Sequence, residues 1–148
     1  MRLAILLTVA AMAAVGLAGP VSAFSRIWMQ DAQIRAELTN VQLAGIYPNK
    51  VAWTEYIHAD GRSDYSEGGQ TRPGRWTVAN DLFCFVYAEP QQGGCFRIVK
   101  HSPNCYELYT ATIGGHPPAH PPPTARMSWN GRMWREAQPP TCEEKAIS

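Results

Sequence analysis

Val51-Ala-Trp-Thr-Glu-Tyr-Ile-His58, followed by Ala59-Asp60-Gly61-Arg62, is the stretch that decides the fold class. Its first eight residues are rich in β-branched and aromatic side chains, which suit a pleated strand. Asp-Gly beside such a run is a hairpin cue, because glycine takes positive φ without steric cost. The return strand, about Ser63 to Gln70, is polar and flanked by glycine, and is expected at a sheet edge. Pro73-Gly74 reads as another turn, and Arg75 to Ala79 as a third strand with Trp76 and Val78 on one face. After Asn80-Asp81, the run Leu82-Phe-Cys-Phe-Val-Tyr-Ala88 is apolar on both faces and reads as the central, most buried strand. Cys95 to Lys100 and Cys105 to Thr112 complete the meander, with a turn at Ser102-Pro103-Asn104 between them.

Upstream, Ser25 to Leu38 has helical spacing, with Ile27, Ile34 and Leu38 on one face and polar residues around the rest. Downstream, five of the nine residues from His116 to Thr124 are proline. That composition favours polyproline II and excludes a ladder strand. Met127-Ser-Trp-Asn-Gly-Arg-Met-Trp134 then reads as a hairpin around the type I′ signal Asn130-Gly131. The expected fold is mainly β: a single antiparallel meander of five or six strands curled into a half-barrel. An N-terminal amphipathic helix closes one opening, and a C-terminal hairpin sits outside or at the rim. The domain plan is a β-rich unit over 24–115, a proline-rich strap over 116–124, and a hairpin with a disulfide-tethered tail over 125–148.

The first 23 residues are of another kind. Arg2 precedes an apolar run from Leu3 to Leu17, Gly19-Pro20 breaks it, and Val21-Ser22-Ala23 offers small residues to a signal peptidase. The run is too short for a comfortable membrane crossing, which takes about 20 residues. Export to the periplasm or beyond is therefore expected, with no transmembrane segment in the mature chain. Arg2 is the only charge in this segment, so the remainder carries 12 basic and 12 acidic side chains. That balance argues against nucleic-acid binding, which needs clustered Lys and Arg.

The four cysteines lack any C-x-x-C spacing. In an oxidising compartment they are expected to form disulfides. If Cys84 and Cys95 face each other across a hairpin, Phe83 opposes Phe96, and facing cysteines on neighbouring strands meet the geometric limits of a bridge. Cys142 then reaches Cys105 and staples the tail.

The set Leu43-x-Gly45, Trp53-Thr-Glu-Tyr56, Asp60-Gly61-Arg62, Gly74-Arg-Trp76, Leu82-Phe-Cys84 and Cys95-Phe96 resembles small exported alphaproteobacterial proteins of a domain-of-unknown-function family. The resemblance spans about Asn40 to Tyr109. It implies a periplasmic β-rich fold and no catalytic residues.

Candidate chemistry follows from three clusters. His58, Asp60 and Asp64, with Glu67 nearby, gather around the Asp-Gly turn and offer metal ligands, although EF-hand spacing is missing. His116 and His120 are four apart in a proline-rich segment, where polyproline II points them in different directions. Hydrolysis has little support: no G-x-S-x-G occurs, and paired cysteines are no nucleophiles. Aromatic residues are the better lead, because exposed Trp and Tyr form recognition platforms. The candidate binding residues are Trp53 and Tyr56 on the sheet and Trp129, Arg132 and Trp134 on the hairpin, whose register places Trp129, Arg132 and Trp134 on one face and Met133 on the other.

The expected function is an exported, non-enzymatic binding or envelope-associated protein. Its ligand would be a glycan, a small amphipathic molecule or a protein partner, and no cofactor is indicated. One alternative is a small metal-dependent or hydrolytic enzyme using His58, Asp60 and Asp64. Another is an inhibitor-like protein acting on a partner enzyme. The export expectation has a direct check: the intact mass of protein purified from the periplasm should correspond to a chain beginning at Phe24, and a retained N-terminus in the membrane fraction would contradict it.

Overall fold

The structure is a computed structural model and describes residues 27–88, 93–111 and 129–142. The elements are α1 (Asp31–Leu38), β1 (Val41–Ile46), β2 (Ala52–Ile57), β3 (Arg62–Glu67), β4 (Gln70–Ala79), β5 (Leu82–Tyr87), β6 (Gly94–Ser102), β7 (Cys105–Thr110) and β8 (Gly131–Arg135). Each strand pairs antiparallel with the next, and β8 returns to β1, so the eight strands form a closed barrel. The mainly β meander with a short N-terminal helix is thus present, and closure carries it beyond a half-barrel. No helix among the described residues is long and apolar enough to cross a membrane.

Closure accounts for most departures from the sequence expectations. Gly131–Arg135 does not fold back on the residues before it. Its two edges are taken by β7, where Arg132 lies opposite Glu107, and by β1, where Arg132 lies opposite Ile46. The hairpin strand is therefore a stave of the wall. Met127 and Ser128 lie outside the described residues, as does the 116–124 strap with His116 and His120. The alternation within β8 holds, since Met133 is fully buried inside while Arg132 and Trp134 alternate to the outer face.

The polar strand β3 is no edge, because it pairs β2 on one side and β4 on the other. Its polar residues face outward, while Ser63 and Tyr65 point into the barrel. The turn expected at Pro73-Gly74 sits instead at Gly68-Gly69, where φ is 58° and 79°. Two glycines at positive φ make the tighter reversal, so β4 runs straight through Pro73-Gly74 to Ala79. The most buried strand is β7, with Cys105 to Tyr109 all buried, rather than β5, whose Val86 is 68% exposed. The helix starts at Asp31, not Ser25. Residues before it are drawn to the barrel wall, since Met29 N–H donates to the Ile98 carbonyl at 2.8 Å and Trp28 bridges Val99.

One barrel end is filled. Ile34 and Leu38 of α1 are buried there with Met29, Ile57, Val78, Ile98 and Tyr106. Polar contacts hold the helix down: Glu37 accepts from Lys100 Nζ and from the Tyr106 hydroxyl, each at 2.7 Å. Burial raises the Glu37 pKa, but these two donors lower it further, and the net displacement is downward. The cysteines pair as the layout implies, Cys84 with Cys95 and Cys105 with Cys142, and Phe83 does oppose Phe96. Two such pairs fit an oxidising environment. The second closes a 37-residue separation, which stabilises by roughly 3–4 kcal/mol in the chain-entropy model. Beside it, buried Asn104 donates from Nδ2 to the carbonyls of Arg135, Gln138 and Pro139 at 3.1 Å each, and its Oδ1 accepts from Arg135 N–H at 2.9 Å.

An eight-stranded barrel has an interior just wide enough for side chains. Here large rings are accommodated by glycines on the facing strand. Gly45 lies opposite Trp53, and Gly74 opposite Tyr87. A Cβ on Gly45 would stand 2.2 Å from the indole, far inside contact distance. Gly45→Ala should therefore cost about 1–3 kcal/mol by overpacking. Urea denaturation should show a smaller cost in a Trp53→Phe background, because the clashing indole atoms are gone.

Candidate functional site

The end opposite α1 is where the candidate site lies. A cavity of about 130 Å³ sits there, bounded by the starts of β6 and β8 at Gly94 and Gly131. Its walls come from alternation: Leu43 of β1, Trp53 and Glu55 of β2, Tyr65 of β3, Phe85 and Tyr87 of β5, Phe96 of β6, Leu108 of β7 and Met133 of β8 all share the inward register. Six rings form a continuous belt. Tyr47 touches Trp53, Trp53 touches Tyr65, Tyr65 touches Tyr87, and Tyr87 stacks on Phe85, which contacts Phe96, with centroid distances of 5.3 to 6.3 Å.

Polar atoms interrupt the belt at few points. The Tyr87 hydroxyl donates to Glu55 Oε1 at 2.8 Å. Tyr47 and Tyr65 share a hydroxyl contact at 2.9 Å, and Tyr65 in turn donates to Glu67. Trp53 Nε1 is buried with no hydrogen-bond partner among the described residues, and the buried Ser63 hydroxyl faces the Glu55 carboxyl. Glu55 itself is 3% exposed. Burial pushes its carboxyl up to about 7, the Tyr87 and Ser63 hydroxyls opposing this and the Asp64 charge adding to it. Burial also raises the hydroxyl pKa values of Tyr47, Tyr65 and Tyr87, so these remain neutral donors.

The sequence candidates fall in three places. Trp53 lines the cavity, whereas Tyr56 is on the outer wall, edge-on to His58 and hydrogen-bonded through its hydroxyl to Asn40. His58 Nε2 meets Asp64 Oδ2 at 2.7 Å, but Asp60 turns to Arg62 at 2.8 Å. Among the described residues no three His, Cys, Asp or Glu side chains come together to hold a metal. Arg132 and Trp129 do meet, the guanidinium lying 4.8 Å over the indole. They belong to an outer cluster built on Glu107, which is fully buried, takes Arg132 Nη2 at 2.9 Å and accepts from the Tyr109 hydroxyl at 2.8 Å. Trp134 is half-buried on the same wall.

Glu55, Tyr65 and Tyr87 were not singled out from sequence. A signal for Glu55 existed: Trp53, Glu55 and Ile57 share one face of β2, and a carboxylate among apolar inward positions is unusual. The chain matches no protein-family model, no curated protein and no solved structure.

The raised Glu55 pKa fixes a pH dependence. The folded state holds this proton more tightly than the unfolded chain, whose carboxyl has the ordinary value of 4.5. The contribution of Glu55 to stability therefore falls as pH rises from about 4.5 to about 7 and is level above that. The fall is on the order of 3 kcal/mol. Glu37, displaced downward, acts in the opposite sense, so the informative quantity is a difference: Glu55→Gln should gain on the wild type between pH 5 and pH 7.5 in denaturant titrations.

Proposed function

We propose that this is an exported, non-enzymatic binding protein that takes a small amphipathic molecule into the barrel end opposite α1. The observation that carries the proposal is the cavity: a ring of six aromatic side chains with a carboxylate set into it, above an end filled by helix and core. Binding pockets are mostly apolar and aromatic with a few placed polar groups, and closed eight-stranded barrels suit one small ligand. An enclosed cavity of roughly 150 Å³ holds a benzene ring, so the ligand, or the part of it that enters, is of that order. The periplasm or the exterior is the compartment that suits two paired disulfides. The enzyme alternative at His58, Asp60 and Asp64 has less support, because Asp60 is occupied by Arg62.

Gly131 provides the test. It lines the cavity, its φ is not positive, and a Cβ there would meet nothing nearer than 3.8 Å. Gly131→Met should fill the cavity while leaving the melting temperature within a few degrees. Calorimetry with benzyl alcohol should show binding to the wild type and none to the variant; equal binding to both would place the ligand elsewhere.

A further inference from the structure

We propose that the cavity selects a compact organic ammonium ion, seated among the aromatic rings with its charged nitrogen against the Glu55 carboxylate. The inference rests on the cavity being the ligand site and adds the sign and size of the ligand. Three observations support it. Among the described residues the lining contains the carboxylate of Glu55 and no Lys, Arg or His. Glu55 is met by two neutral hydroxyls, Tyr87 at 2.8 Å and Ser63, and pairs with no cation among the described residues. The surrounding side chains are six aromatic rings, whose π faces are negative and attract ammonium groups.

Each alternative charge type fits less well. An anion would meet both the Glu55 carboxylate and the negative ring faces. A neutral apolar molecule would use the rings but leave a buried carboxyl with no countercharge, which is costly when ionised. An ammonium ion satisfies both features, because its N–H groups donate to the carboxylate while its carbon skeleton fills the belt. The size argument narrows the class further: about 130 Å³ admits a single small ring or a group of that order, with any side arm left at the open mouth.

The groups facing Glu55 define how binding depends on pH. Tyr87 approaches from β5, Tyr65 and Ser63 from β3, and Leu43 from β1, where Glu55 is its direct partner. Tyr47 and Glu67 join through the Tyr65 hydroxyl, and Asp64 adds a like charge from the outer side of β3. With the facing hydroxyls neutral, Glu55 gains charge as pH passes about 7. An alkylammonium stays protonated across that range, as a lysine does. Affinity for the ammonium should therefore rise from pH 6 to pH 8.

The experiment is isothermal calorimetry of the purified protein with benzylamine and with benzyl alcohol, its neutral counterpart, at pH 6 and pH 8. At pH 8 benzylamine should bind at least roughly tenfold more tightly than the alcohol. At pH 6 this preference should shrink several-fold, with the amine binding more weakly than at pH 8. In Glu55→Gln the amine should fall to the level of the alcohol; if that variant does not fold, the wild-type pH series decides alone. Alcohol binding equal to or tighter than amine binding at pH 8 would overturn the ammonium inference and leave the cavity as a neutral-ligand site. No binding of either compound to the folded protein would overturn the cavity reading itself.

Discussion

The molecule depends on five residues, Gly131–Arg135, finding hydrogen-bond partners on both sides. Without β8 the meander would end in two open edges, the outer one of β1 and the outer one of β7. Such edges are templates for unwanted pairing. With β8 in place the sheet has no edge, and the interior is sealed along its whole wall. The cost of bringing β8 home from β7 grows only slowly with the length of the connection. Asn104 and the Cys105–Cys142 bridge then fix the far end of the strand, so the seam is held at the point where a short terminal strand would otherwise fray.

Closure makes the interior finite, and this turns composition into geometry. A flat sheet could carry Trp53, Tyr65, Phe85 and Tyr87 without conflict. A small barrel cannot, unless something gives way opposite them. Glycine gives way at positions 45 and 74, so the rings of Trp53 and Tyr87 come close to the neighbouring backbone. Because the filled end takes Ile34, Leu38 and Phe83, the space left over collects at the other end, where the ring hydroxyls and Glu55 supply the polarity. Cavity and carboxylate are thus two results of the same inward register.

Much of this was legible before the coordinates. Alternation in Val51–His58, the Asp60-Gly61 turn and the facing cysteines at 84 and 95 follow from local rules, and local rules survive closure. What was not legible depended on long-range pairing. Asn130-Gly131 carries a strong local hairpin signal, yet β8 found better partners on β7 and β1 than on its own neighbours. Pro73-Gly74 looks like a turn and is a strand, because Gly68-Gly69 had already reversed the chain. The Trp28 segment has helical spacing, but an unpaired stretch of β6 competed for it and won. The site was half visible: Trp53 stood out as an aromatic, while Glu55 reads as an ordinary strand residue until its neighbours on every side are known.

The fastening of α1 by Glu37, Lys100 and Tyr106 has a bearing on traffic. With one end blocked by packed side chains, the barrel is a cup rather than a conduit. An occupant of the kind proposed would have to depart by the route along which it arrived, past the turns around Pro48 and Gly68 and the entrances of β6 and β8. On that reading, sequence change at the rim would alter how long a guest stays as well as how it is seated, since Tyr47, Gly94 and Gly131 belong to both rim and lining.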